Sequence, residues 1–268
     1  MTLLLKLDPA QARDYSMMIQ SVGMTCATFT IAWMGITVEW NSIIFCTIGA
    51  GVGIIFGLEN VDNWLSGPEK KMLFVSIWVS FAISLWLLNS EDDRHAHDRI
   101  QNMSITKAVV LLVTGFIGGL CTAFAGSGVD ICSFSILTLL FRVSEKTATP
   151  TSIVLMAVNS ITGFFWRCFV MDAINPVVWM HFSTSVPIVV VVAPLGTLLA
   201  SHFHRLVLAT FVYVLEALAL IGFLVTGPPW YLILTGAGII VFSLVFFNTV
   251  SRIGKWWDKR YDPVALPA

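Results

Sequence analysis

The chain has 268 residues, 57% of them hydrophobic and 12% charged, and 15 Lys and Arg stand against 16 Asp and Glu for a formal net charge of −1. A charged share well below the usual figure of about 25% excludes an ordinary water-soluble domain. No basic stripe stands clear of the apolar stretches, so a nucleic-acid partner is excluded as well. What remains is an integral membrane protein whose first partner is the lipid bilayer. In chain order, the opening MTLLLKLDPAQARD has too short an apolar core to be a signal peptide. Apolar spans follow at 15–36, 42–58, 71–89, 107–125, 152–170, 177–200, 206–226 and 229–250. About 20 residues at about 1.5 Å each cross the hydrocarbon, which predicts an all-α, polytopic transmembrane bundle of about seven to eight spans. Trp40, Trp179, Trp230, Trp256 and Trp257 fall near span ends, where indole rings favour the headgroup layer.

Residues 107–141 resist simple counting. As one helix they would run about 50 Å, too long for a single crossing, and Ala125-Gly126-Ser127-Gly128 sits where that helix would fail. The sequence therefore predicts a helix, a glycine-rich break and a half-helix starting near Asp130. Irregular backbone at membrane depth survives only when buried in protein or lining a wet cavity, and such breaks point to a transporter's binding site.

An internal repeat is the second signal. At an offset of 136 residues, TLLLKLDPAQARDYSMMIQSV (2–22) lies over TLLFRVSEKTATPTSIVLMAV (138–158) without a gap. The following VEWNSII stays in register with INPVVWM. Met1 then falls on Leu137, so the first repeat, residues 1–90, begins in its own middle and lacks the broken helix of the second, residues 107–251. Residues 91–106 form a polar connector and 252–268 a tail.

The stretch GFIGGLCTAFAGSGVDICSFSILTLLFRVSEKTATPTSIVLMAVNSITG (115–163) resembles the second-repeat signature of the sulfite exporter TauE/SafE family of membrane permeases. Gly126 and Gly128 match the first two glycines of that family's break, and Ala148, Thr151 and Ser152 its later small-residue and Thr-Ser element. Val129 and Asp130 replace the last two glycines, and Tyr15-Ser16 stands where the first repeat would have Thr-Ser. The resemblance implies movement of small sulfur-containing anions such as sulfite or organosulfonates.

Read from the residues, Ser127, the backbone at Gly126 and Gly128 and the N–H groups opening the half-helix suit an oxyanion. Thr151, Ser152, Asn159 and Ser160 stand on the next helix, with Ser152, Asn159 and Ser160 on one face, and offer hydroxyl and amide contacts; interhelical packing is the alternative use of such residues. Three readings fit Asp130: a cap on the half-helix, a carboxyl that carries a proton during transport, or a residue nearer the surface than the break suggests. Arg167 is expected to anchor its helix end at the interface.

Little else carries chemistry. Cys26, Cys46, Cys121, Cys132 and Cys168 read as small core residues, and the histidines of RHAHD (94–98) and HFH (202–204) as solvated loop residues. No nucleophile elbow, phosphate loop, metal motif or cofactor motif appears, so no enzyme, metal or cofactor is expected. The positive-inside rule puts the tail in the cytoplasm whether 107–141 enters and leaves on one side or crosses once, and the first of these suits inverted repeats. Two functions fit: a secondary transporter of small anions, or a non-transporting or incomplete membrane protein of the same fold. With the first repeat's broken helix missing, a homodimer is a candidate for completing a half-built site.

Overall fold

The computed structural model describes residues 8–61, 64, 66–89, 97–203 and 205–261. Residues 2–7 of the repeat, His95 and His204 of the histidine pairs, residues 91–96 of the connector and the last seven tail residues lie outside them. The architecture is all-α. Helices α1 (Pro9–Trp33), α2 (Trp40–Phe56), α3 (Gly67–Asn89), α4 (Ile105–Ala125), α5 (Val129–Ser135), α6 (Glu145–Phe165), α7 (Pro176–His202), α8 (Arg205–Val225) and α9 (Trp230–Tyr261) follow in order. Each of the eight apolar spans read from the sequence becomes a helix, and α5 is the additional short one after the break. Among the described residues, five helices are both long and apolar enough to cross a membrane: α2, α4, α6, α7 and α9, with α2 and α6 lengthened by π-type turns.

Local chemistry sets the helix starts. Asp8 and Gln11 form a capping box ahead of Pro9, Asn175 accepts from the Val177 N–H at 2.9 Å ahead of Pro176, and Ser66 donates through both its N–H and its hydroxyl to Glu69 at 2.7 Å. The half-buried Glu69 carboxyl is held below its ordinary range by these Ser66 bonds. Pro9 and Glu145 are 136 residues apart, as are Trp40 and Pro176, so both helix pairs open at the offset of the sequence repeat. The packing is reciprocal: α1 lies against α6 and α7, while α2 lies against α6 and α4.

Close approach fixes that arrangement. A Cβ at Gly49 or Gly53 of α2 would lie 2.1 or 2.2 Å from a carbonyl oxygen of α4, and one at Gly115 or Gly119 of α4 would lie 2.2 or 2.4 Å from a carbonyl oxygen of α2. Only hydrogen at these positions lets the two backbones touch, as small residues do throughout membrane bundles. The apolar core around Phe81, Leu111, Val129, Leu137 and Leu155 lies where α3, α4, α5 and α6 meet, and the outer faces of α7, α8 and α9 are apolar and exposed, as a lipid-facing surface is.

The ends of the α4–α5 hairpin meet. The His97 N–H donates to the Arg142 carbonyl at 2.9 Å and the Ser144 N–H to the His97 carbonyl at 2.8 Å. Trp257 near the end of α9 stacks on Phe141 at 6.2 Å and takes the Lys107 ammonium over its ring at 5.8 Å. The connector, the start of α4, the end of the hairpin and the end of α9 therefore share one end of the bundle. Glu39, buried at the start of α2, ties this end together by accepting from the Asn41 side chain at 2.9 Å and from the Ile100 N–H at 3.0 Å.

Candidate functional site

The break begins where α4 stops. Gly126 adopts φ +82°, a left-handed conformation that glycine takes without a Cβ penalty, and its N–H closes the last turn on the Thr122 carbonyl at 2.8 Å. A Cβ there would also lie 2.9 Å from the Arg13 carbonyl and from the Ser16 Cβ, so α1 rests directly on the break. At Gly128 the constraint is space: a Cβ would lie 2.4 Å from that of Cys121. The chain then reverses into α5, whose Val129 Cα would be 2.7 Å from a Cβ on Gly118.

One hydroxyl ties the reversal to α6. Thr122 Oγ1 donates to the Gly118 carbonyl at 2.9 Å and accepts from the Val129 N–H at 3.3 Å and from Asn159 Nδ2 at 3.0 Å. Asn159 thus reaches the break through Thr122, a residue that reads in the sequence as filler in an apolar run. Its Oδ1 is buried with no hydrogen-bond partner among the described residues, and so is Oε1 of Gln20 on α1. Helices α1 and α6 run antiparallel, with Asp14 against Arg167 and Met17 against Gly163, so Gln20 and Asn159 stand at similar depth.

Gly126, Ser127, Gly128 and Asp130 lie together at the break. Ser127 Oγ donates to Asp130 Oδ1 at 3.0 Å. The half-helix begins at Val129 and its N-cap position belongs to Gly128, which has no side chain to cap with, so Asp130 stands in the first turn, where its carboxylate meets backbone N–H groups that open the half-helix. Its carboxylate still faces the positive end of the half-helix. The rest of the set on α6 is spread along the helix. Thr151 accepts the Glu39 N–H at 2.9 Å and donates to the Thr147 carbonyl at 2.6 Å, at the start of α2 and about 12 Å along α6 from Asn159. Ser152 donates to the Thr149 carbonyl and Ser160 to the Met156 carbonyl, both within α6.

Arg167 differs from the expected interfacial anchor. It is 8% exposed, and its Nε and Nη2 donate to the two carboxylate oxygens of Asp14 at 3.1 and 2.7 Å. Arg13, on the same turn of α1, grips Asp14 Oδ1 at 2.9 Å and reaches the Ala123 carbonyl at 3.3 Å, beside the break. Burial makes these bonds strong, and pairing is what makes the burial of three charges tolerable. The partners are 153 residues apart in sequence, so no local pattern could connect them. A carboxylate on one helix and a basic residue at the far end of another were the available hint.

The cluster can do something the break residues cannot. Among the described residues, Arg167 Nη1 has only the Met171 sulfur within hydrogen-bonding reach, at 3.8 Å, so its fork keeps donors for a guest oxyanion. At the opposite end of α1 and α6 a cavity of about 330 Å³ opens between them and α7, lined among others by Lys146, Thr149, Thr197 and Ser201. Buried Met17, Leu155 and Ala157 on α1 and α6 lie between the depths of the two sites.

Comparison with curated proteins and with solved structures gave no match. The family model described as "Sulfite exporter TauE/SafE" matches residues 1–223, well over half of a chain whose fold is a helical membrane bundle, and the protein belongs to that family.

Proposed function

We propose that this multi-pass membrane transporter moves small oxyanions, with sulfite and organosulfonates as the substrate class, by movement of one half of the bundle against the other. The observation that carries this reading is the buried guanidinium pair of Arg13 and Arg167 beside the broken helix. Arginine keeps its charge at any working pH, and its planar fork matches the oxygens of a sulfonate or sulfite. In a bundle surrounded by lipid, such a buried pair of cations marks a place suited to an anionic guest. In this reading Gly126, Ser127, Gly128 and Asn159 form the polar wall of the site. Lys146, Thr149, Thr197 and Ser201 line the cavity at the other end of α6, the vestibule from which an anion would enter or leave. Asp14 holds the guanidiniums until the anion competes for them.

The test is flux in liposomes carrying the purified full-length protein. Labelled sulfite or methanesulfonate is expected to exchange saturably against the unlabelled anion, and chloride to compete poorly because it cannot engage the fork in two places. Equal competition by chloride would point to a general anion path.

The orientation belongs to the same reading. The tail is assigned to the cytoplasm by the positive-inside rule, and Trp257 shares its end of the bundle with Phe141 and Lys107. The sequon Asn102-Met103-Ser104 lies at that end, just before α4, and Asn102 is exposed. In a glycosylating host it is expected to stay unmodified, read as no shift on glycosidase treatment. A glycan on Asn102 would reverse the assignment.

A further inference from the structure

The cavity of about 330 Å³ between α1, α6 and α7 has more room and more apolar wall than a sulfite ion can use. Lys146 stands exposed at it, while the wall away from solvent is apolar: Ile31 of α1 is 3% exposed, and Ile36 and Ile153 are half-buried. The Thr197 and Ser201 hydroxyls already donate to the Ala193 and Leu198 carbonyls of α7 at 3.0 and 2.7 Å, so the charge of an anionic guest falls to Lys146. Glu145 lines the same cavity, so among the described residues of the lining one cation stands against one acid. A lining without net formal charge gives a small divalent oxyanion little electrostatic hold. A pocket of this size, mostly apolar with a few polar groups, suits an organic guest whose polar end is fixed and whose body is buried.

We propose that this cavity is a loading site for monovalent sulfonates that carry an alkyl or aryl tail, with the headgroup on the Lys146 ammonium at the mouth and the tail against Ile31 and Ile153. The inference rests on the transport reading above, in which the cavity is the vestibule, and it narrows the substrate class. Selection here is by the tail, since each methylene that leaves water adds a similar increment of binding. The buried guanidiniums at the opposite end of α1 and α6 read the oxyanion alone, so the two sites recognise different parts of one molecule. An anionic phospholipid shares the charged head and apolar tail, and the lipid composition used in the experiment separates the two sources.

In the experiment the full-length protein in phosphatidylcholine nanodiscs is treated with an N-hydroxysuccinimide ester of acetate, and acetylation of Lys146 is read by peptide mass with methane-, butane- or hexanesulfonate present. The sulfonate concentration that halves the labelling rate should fall by about fourfold for each added methylene until the cavity is full. Ile153→Ala should flatten that series and leave the methanesulfonate value unchanged. Hexyltrimethylammonium, with the same tail and the opposite charge, should give no protection. Protection by wild type that ignores chain length, or equal protection by hexyltrimethylammonium, would overturn the proposal. So would a Lys146 that is shielded in phosphatidylglycerol nanodiscs and indifferent to every sulfonate, the behaviour of a lipid site. The labelling needs no flux, so a wild type that shows the series yet moves no anion in liposomes would overturn the transport reading and leave the binding site standing.

Discussion

Asp14→Ala is expected to destabilise the protein by about 3–5 kcal/mol, the cost of breaking a buried ion pair by removing one partner. The substitution leaves the Arg13 and Arg167 guanidiniums without the carboxylate that both grip at 2.7–3.1 Å. Side-chain exposures of 2%, 4% and 10% for Arg13, Asp14 and Arg167 leave little water to take its place. Thermal unfolding in detergent measures the loss. The control is a double variant, Asp14→Ala with Arg167→Met, compared with each single change, which removes one of the two guanidiniums that gripped the carboxylate. It should recover part of the loss, with a coupling of about 0.5–3 kcal/mol between the sites. Full additivity of the two changes would mean that the pair is not energetically linked.

Gly53→Ala and Gly51→Ala, two changes on one helix, should move stability in opposite directions. Both replace glycine by the better helix former, worth about 0.5–1 kcal/mol on propensity alone. At Gly51 a Cβ meets nothing within 4 Å, so the gain should appear in full. At Gly53 the same carbon would sit 2.2 Å from the Phe116 carbonyl oxygen. The neighbour is backbone, so α2 and α4 must part, and overpacking of this kind typically costs about 1–3 kcal/mol. Because α4 carries the break at its end, Gly53→Ala should also slow anion flux, while Gly51→Ala leaves it unchanged. Parallel melting curves and exchange assays on the two variants decide this, and equal behaviour would mean that the two helices do not pack through their glycines.

The helices were legible because their cause is local. An apolar run of membrane length ended by Asn-Pro, Ser-Glu or Gly fixes α2, α4, α6 and α7 wherever the rest of the chain goes. The break was legible for the same reason, since two glycines within three residues end α4 whatever packs against them. What the sequence hides is pairing over distance. Asp14 reads as one more charge near a helix start, and Arg167 as one more basic residue near a helix end. Only the antiparallel packing of α1 on α6 brings them to 2.7 Å. Thr151 and Asn159 look alike as polar residues on one helix, yet one caps the junction with α2 and the other reaches the break. The difference is the depth at which α6 meets each neighbour.

The most direct test of the guanidinium site is the concentration dependence of sulfite exchange in liposomes for wild type and Arg167→Lys at equal amounts of reconstituted protein. Lysine keeps the charge and can still pair with Asp14, so folding should survive, but it loses the two-pronged fork. Charge-assisted hydrogen bonds of that kind are worth about 1.5–3 kcal/mol, so the half-saturating sulfite concentration should rise by about tenfold or more. A folded Arg167→Lys with wild-type half-saturation and rate would contradict the assignment of the anion to the arginine cluster.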